Sequence, residues 1–380
     1  MTRQPLTGED HESGPKEATA SDRLSLRAAI LGFGISGRVF HAPLIQADDS
    51  YVLEAIVTSD PERTMAARAS YPRARIIPTA EQLFAKVDEG ELVLDVVVIG
   101  TPPLNHKQLA KAALERGLHV VVDKPFVPCS EDGEELIAAA AEAGRCLTVF
   151  QNRRWDGDFL TLKQLIRDGA LGNVRTFESR FEWWMPDGFR NWRDTALLAE
   201  GGGILHDLGA HLIDQAIQLF GPVAEVYGET ARHVGPDKSD ADQDAFLSLL
   251  HRSGTRSRLW MNGGAARLGP RFHVLGSQAA YTKWGLDGQE KTLGEGMLPT
   301  DPEYGLESPE TWGTLGVPGS FRDEPTRRGD YPQFYAQLAH ALQTGSAPPV
   351  DPSDAVEVLK IIEQARRYGD FVNLVAGRVG

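Results

Sequence analysis

The stretch Arg27-Ala-Ala-Ile-Leu31-Gly32-Phe33-Gly34-Ile35-Ser36-Gly37, continued by a helix-compatible run through Gln46, decides the fold. A short apolar run without alternation reads as a strand buried on both faces, and glycines that follow it at once mark a tight turn. In Gly-x-Gly-x-x-Gly between a strand and a helix, each glycine has its own task. Gly32 permits the turn, Gly34 lets backbone approach a pyrophosphate, and Gly37 lets the helix pack closely on the strand. Unpaired N–H groups at the helix N-terminus add an attraction for anions. Gly32, Phe33, Gly34, Ser36 and Gly37 are therefore candidate contacts of a dinucleotide. The same glycines alone also fit a βα turn without a ligand, so the surrounding pattern has to decide.

That pattern is alternation. Tyr51 to Thr58 reads as a strand, Pro61 to Ala69 as a helix and Leu94 to Ile99 as an apolar strand. Asn105 to Arg116 reads as a helix stopped by Gly117, His119 to Val122 as a strand, Glu131 to Ala143 as a helix stopped by Gly144, and Cys146 to Phe150 as a strand. Such a series predicts an α/β fold whose N-terminal part, 25–150, is a doubly wound Rossmann domain with a parallel sheet covered on both faces. Beyond Gln151 a helix is expected over Phe159 to Asp168 and another from about Gly203 to Phe220. Between and after them come half-buried runs at Val174 to Glu182, Ala224 to Thr230, Asp244 to His251, Ser257 to Asn262 and Arg271 to Leu275. The second domain, 151–380, is thus expected to be α+β with an open, mainly antiparallel sheet. Residues 285–330, dense in Gly, Pro, Asp and Glu, read as a long surface loop. Helices over 331–343 and 354–368 follow, the second capped by Ser353. Residues 1–24 have no apolar period and read as a flexible tail.

Composition removes whole classes of function. The chain carries 53 Asp plus Glu against 39 Lys plus Arg, a formal charge of −14, which repels nucleic acid and anionic membrane. No apolar run approaches the ~18 residues of a membrane span, and the opening residues are unlike a signal peptide. Cys129 and Cys146 are too few for a disulfide framework or a four-thiolate zinc site, which fits a cytoplasmic setting. The expected partner is a small molecule.

The choice of nicotinamide cofactor is read at the end of the second strand, where an acid holds a ribose 2′-hydroxyl and a base accommodates a 2′-phosphate. Ser59 stands where the acid is expected, with Asp60 one step later and Arg63 at the start of the next helix. Ser59 with Arg63 favours NADP(H); Asp60 keeps NAD(H) open.

Three further segments, taken with the glycine loop, carry a resemblance. Thr101-Pro-Pro-Leu-Asn-His106, Asp123-Lys124-Pro125 and Gly201-Gly-Gly-Ile-Leu-His-Asp207-Leu-Gly-Ala-His211 follow in an order that resembles the Gfo/Idh/MocA family of NAD(P)-dependent sugar and inositol oxidoreductases. Phe40-His-Ala-Pro43 and Gln151-Asn-Arg-Arg-Trp-Asp156 are most similar to the family branch containing NADP-dependent scyllo-inositol dehydrogenases. The resemblance implies cofactor contacts at Thr101, Pro102, His106, Asp123, Lys124 and Pro125, a cis Lys124-Pro125 bond, and a catalytic set of Lys124, Asp207 and His211. Asp123 replaces the commoner Glu and shortens its reach; Pro103 replaces an Asn and removes an amide.

The residue chemistry suits that implication. Oxidising a secondary alcohol with a nicotinamide needs a group that accepts the hydroxyl proton, a task for a near-neutral imidazole. Asp207 and His211 lie four apart on one helix and share a face, and Lys124 at a strand's carboxyl end can stabilise charge developing on the same oxygen. His206, Asp207 and His211 also offer a metal-ligand reading, but close clustering leaves no third partner on one face, and no metal is expected. Arg153, Trp155, Trp192 and Arg193, with Trp183 and Trp184 nearby, are candidates to bind a polyhydroxylated ring, while tryptophans equally serve as core. The expected function is hydride transfer between NAD(P) and a secondary hydroxyl of a cyclic polyol or sugar, inositol-like in preference. The alternatives are a non-catalytic NAD(P)-binding redox sensor and a metal-dependent hydrolase. The open sheet of the second domain is an expected surface for a homo-oligomer.

Overall fold

Valine- and isoleucine-rich runs without polar alternation need cover on both faces, and in this chain they lie side by side. The computed structural model describes residues 25–189, 192–233 and 239–376, so the expected tail, 1–24, lies outside the described residues. Strands β1 (Leu26–Leu31), β2 (Tyr51–Val57), β3 (Arg75–Ile77), β4 (Val96–Ile99), β5 (His119–Asp123) and β6 (Leu147–Phe150) pair in parallel in the order β3-β2-β1-β4-β5-β6. The winding reverses between β1 and β4, and the carboxyl ends of these two strands open a crevice of the kind where such sheets hold ligands. β3 and the helix Ala80–Asp88 are additions to the elements read from sequence; three residues are too few to show a period.

The second sheet contains β7 (Thr176–Glu182), β8 (Val223–Ala231), β9 (Asp244–His251), β10 (Arg256–Asn262), β11 (Phe272–Leu275), β12 (Ala280–Lys283), β13 (Gly313–Gly316) and β14 (Arg322–Glu324). Their order is β14-β13-β12-β11-β7-β10-β9-β8, antiparallel throughout except for the central β7–β10 pair. Along β7 the buried residues Phe177, Ser179 and Phe181 alternate with partly exposed ones, so one face packs on the helix Ala210–Phe220 and the other stays open.

The 285–330 region corrects the expected loop. It contains the helix Gln289–Gly294, the strand β13 and the edge strand β14, and it buries Leu293 and Tyr304 in the first domain's core. Strands of three or four residues set among glycines and prolines are shorter than the window in which alternation shows. The closing helices run over Pro332–Thr344 and Pro352–Ala376. The second is capped by Asp351, whose Oδ1 accepts from the Ser353 backbone N–H at 2.9 Å and from its hydroxyl at 2.7 Å, rather than by Ser353 itself.

A division at residue 150 does not divide the packing. Phe334, Tyr335 and Leu338 lie in the first core; the last helix gives Ala355, Val356 and Leu359 to the first core and Val358, Ile361, Ile362 and Ala365 to the second. Gly133, inside the helix Ser130–Ala143, makes room for it: a Cβ there would lie 2.8 Å from Val356 Cγ2.

Candidate active site

The crevice at the β1/β4 reversal extends into a cleft of about 920 Å³ between the two sheets, walled by the glycine loop at one end and by Lys124, Asp207 and His211 at the other. At the glycine end, Gly32 has φ +97°, and a Cβ there would lie 2.8 Å from the Gly100 carbonyl oxygen at the end of β4. A Cβ on Gly37 would lie 2.2 Å from the Gly32 oxygen, so this glycine seats the helix on the strand. Gly34 differs: its Cβ would meet only Arg63 Nη1, at 3.8 Å, because that side faces the cleft. The helix opens with a π-helical turn, Ser36–His41, before becoming α-helical at Ala42–Gln46. Ser36 Oγ and Thr101 Oγ1 are buried without a hydrogen-bond partner among the described residues.

Ser59, Asp60 and Arg63 line the cleft beyond β2. Asp60 is the N-cap of the helix Pro61–Ser70, its Oδ1 accepting from Arg63 N at 2.9 Å. One oxygen of that carboxylate is thus taken up by its own helix. The Arg63 guanidinium makes no ion pair among the described residues and stands beside Gly34.

At the opposite end Lys124 leaves β5 through a cis peptide to Pro125. Its Nζ donates to Asp207 Oδ1 at 2.8 Å and to the Asp207 carbonyl at 3.4 Å. Asp207 belongs to a second π-helical turn, Leu205–Gly209, which continues into the helix Ala210–Phe220 and places His211 on the same wall. The Phe181 ring meets His211 edge-on, with centroids 6.2 Å apart. Asp123 Oδ1 accepts from Lys124 N at 2.7 Å, while its Oδ2 lies 3.9 Å from Nε2 of the buried His41. Burial pushes the His41 imidazole down to about 4. His206, adjacent to Asp207, lies off the cleft wall: its Nε2 donates to the Val127 carbonyl at 3.2 Å, and burial, reinforced by the charge of Arg366, holds it down at about 3.

Other sequence candidates occupy different places. His106 does not line the cleft; it is fully buried, with Nε2 at 2.7 Å from the Thr101 carbonyl and Nδ1 at 2.9 Å from the Phe126 carbonyl, so it ties together two loops that reach the cleft. Pro125 likewise lies behind the wall. Trp155 packs in the first core against Phe334, centroids 5.8 Å apart, and is not a cleft residue; an aromatic after a strand reads the same in either place. Arg153 reaches the cleft but is held by Glu290 at 2.7 Å and Asp156 at 3.5 Å. Arg154 turns away to Asp214 and Asp354. Trp183 lines the cleft and Trp184 is exposed. The side chains of Trp192 and Arg193 lie outside the described residues. Sequence reasoning missed Asn152, Met185, Phe189 and Glu290 on the cleft wall; Glu290 comes from a segment read as loop, and no local signal marks it.

These residues fit a dinucleotide. A glycine cradle that a Cβ would fill, together with two hydroxyls and a guanidinium that have no partner among the described residues, converges on one crevice. Family models agree: residues 26–151 match the oxidoreductase family with NAD-binding Rossmann fold, and residues 159–282 match the GFO/IDH/MocA C-terminal domain. The scyllo-inositol 2-dehydrogenase (NADP(+)) IolW of Bacillus subtilis is 33% identical over 345 residues, 90% of this chain and 93% of the relative. The chain belongs to the Gfo/Idh/MocA oxidoreductase family. Another relative, the oxidoreductase YdgJ of Escherichia coli, is 38% identical and covers 89% of this chain and 95% of its own length. Among solved structures of this kind, the oxidoreductase yvaA from Bacillus subtilis superposes with a TM-score of 0.83 at 31% identity, over 92% of this chain and 97% of that one. Residues 26–151 are thus the NAD-binding Rossmann domain of a Gfo/Idh/MocA oxidoreductase. Among the described residues no helix is long and apolar enough to cross a membrane.

Proposed function

We propose that the chain is a dehydrogenase acting on a secondary hydroxyl of a cyclic polyol or sugar, with an inositol-like ring favoured and NADP(H) preferred over NAD(H). The observation that carries this reading is the Lys124–Asp207 pair, 2.8 Å apart, on the same cleft wall as His211 and within one cleft with the glycine loop. Gly32, Phe33, Gly34, Ser36 and Thr101 would hold the dinucleotide, with Ser59 and Arg63 at its ribose phosphate. The nicotinamide, when bound, accepts or returns a hydride. Lys124 donates a charge-assisted hydrogen bond to the reacting oxygen and stabilises the negative charge that develops there. Asp207 orients the ammonium, and His211 accepts the hydroxyl proton during oxidation and returns it during reduction. Trp183, Phe189 and Met185 form an apolar wall suited to the C–H face of a ring.

The preference for NADP(H) rests on two observations: Asp60 Oδ1 is engaged as a helix cap, and Arg63, beside Gly34, makes no ion pair among the described residues. The IolW relative is named as an NADP(+) enzyme. The open face of the second sheet, where the Arg180 guanidinium stacks 3.9 Å over Trp260, is the surface we assign to a homo-oligomer. A cytoplasmic setting accords with two free cysteines, Cys129 and Cys146. The test is fluorescence titration with NADPH and NADH, followed by initial rates across inositols and aldoses. NADPH is expected to bind more tightly, and Arg63→Ala to narrow the gap about tenfold. Equal affinities overturn the cofactor assignment; tight binding without turnover of any polyol turns the reading toward a redox sensor.

A further inference from the structure

We infer that Glu363 and Arg366, three residues apart on the helix Pro352–Ala376, are positioning residues that set the Lys124 segment against the helix bearing Asp207 and His211. This rests on the reading that those three residues carry the reaction. Residues at i and i+3 of a helix are neighbours on its surface, and here each neighbour holds a different half of the molecule. Glu363 Oε1 accepts from Ser130 N at 2.7 Å and Oε2 from Ser130 Oγ at 2.8 Å. The helix Ser130–Ala143 starts at Cys129 with no capping side chain of its own, so the last helix supplies its cap. Ser130 ends the short segment that begins at Lys124.

Arg366 holds the other half. Its Nη2 donates to the Gly202 carbonyl at 3.1 Å and lies 3.5 Å from Asp242 Oδ1. Asp242 in turn caps the turn that carries Asp207: its Oδ2 accepts from Leu205 N at 2.7 Å and its carbonyl from Ile204 N at 2.9 Å. The approach is tight enough to require glycine at 203, where φ is +90° and a Cβ would lie 2.2 Å from Asp242 Oδ1. A cross-tie from His206 Nε2 to the Val127 carbonyl, 3.2 Å, joins the two held segments. The Lys124–Asp207 distance is therefore fixed by a frame whose two anchors share one helix face. Displacements of about 1 Å in such a frame cost on the order of a hundredfold in rate.

The test measures Lys124 in two ways. The first is its acetylation rate by acetic anhydride, read by peptide mass spectrometry against Lys111 as internal reference, which needs no substrate. The second is kcat and KM for the best polyol, with the NADPH Kd from fluorescence. In Arg366→Ala, acetylation of Lys124 is expected to rise about fivefold and kcat to fall about tenfold to a hundredfold, with the NADPH Kd within about twofold of wild type. Arg366→Lys should recover most of both losses. Lys360→Ala, which removes the exposed Lys360–Glu134 pair of the same helix, should change neither. Unaltered Lys124 acetylation and kcat in a folded Arg366→Ala protein would overturn the inference, as would a loss of NADPH affinity in proportion to kcat. If Arg366→Ala does not fold, Glu363→Gln, which weakens the hold on Ser130, decides by the same readouts, and wild-type Lys124 acetylation and kcat in it would count against the frame. If wild type turns over no polyol, the functional reading fails while the acetylation rates still decide the frame.

Discussion

At the glycine end the cleft is walled by the loop from Gly32 to Ser36 and by Gly100, delivered by two adjacent strands, whereas at the lysine end it is walled by side chains whose partners lie far apart in the chain, Lys124 and Asp207 being 83 positions distant. One end depends on what is missing, the side chains that glycine lacks. The other depends on which atoms are present and how they are held. Additions should therefore damage the first and deletions the second, the former through affinity and the latter through rate.

The largest expected effect is at the lysine end. Lys124→Ala should lower kcat by roughly a thousandfold while the NADPH Kd stays within about threefold, because the hydrogen bond proposed for it strengthens only as charge develops on the substrate oxygen. Steady-state rates beside fluorescence titration check this, and near-normal turnover in a folded variant would erase the contrast between the ends. His211→Ala should cost about a hundredfold and remove the acid limb of the pH profile for alcohol oxidation, since an imidazole in the proposed role accepts a proton only when neutral. His206→Ala should keep that limb: its imidazole faces Val127, off the cleft wall, and burial holds it down at about 3. A limb that vanishes in His206→Ala instead would put the base on the wrong residue.

Stability sharpens the same end. Burial lowers His206 from an ordinary 6.5 to about 3, so between these values the unfolded chain binds the proton that the folded one refuses. The stability of the neutral form is complete above pH 6.5 and is lost as pH falls below it, roughly 2 kcal/mol by pH 5. His206→Gln, which keeps an N–H donor for Val127, should therefore lose about 2 kcal/mol less than wild type between pH 7.5 and pH 5 in urea unfolding. Identical losses would contradict the buried neutral state. At the glycine end the effects are smaller and divide the motif. Gly37→Ala drives a methyl against the Gly32 carbonyl and should cost about 2 kcal/mol of stability. Gly34→Ala meets no protein atom nearer than 3.8 Å, so it should fold with an unchanged melting temperature and weaken NADPH about tenfold. A destabilised Gly34→Ala would mean that this glycine serves the fold and not the ligand.

The same contrast explains what was legible. The glycine loop, the alternating strands and the i, i+4 spacing of Asp207 and His211 are local patterns, and local patterns survive in one dimension. Arg63 could be placed because helix Pro61–Ser70 follows β2 directly. The role of His106 as a tie, the core position of Trp155, and the approach of Glu290 to Arg153 depend on chain returns of 20 to 180 residues, which leave no periodic trace. Asp60 shows the limit from the other side: its sequence position fits either a ribose ligand or a cap, and only the hydrogen bond to Arg63 N separates the two.

The shared last helix has a consequence for how the chain is made. The first core lacks Phe334, Tyr335, Val356 and Leu359 until the C-terminal segments exist, and β7 finds its neighbours β10 and β11 only long after it is made. Pairings so distant in sequence form slowly, and synthesis from the N-terminus leaves the apolar face around Phe150 uncovered meanwhile. The ribosome thus releases the NAD-binding domain as an unfinished layer. A nascent chain arrested near residue 330 should be cut readily by protease within residues 25–150, and one carried past 376 should resist. Completion of the catalytic frame and completion of the first core are then one event, triggered by the docking of a single helix.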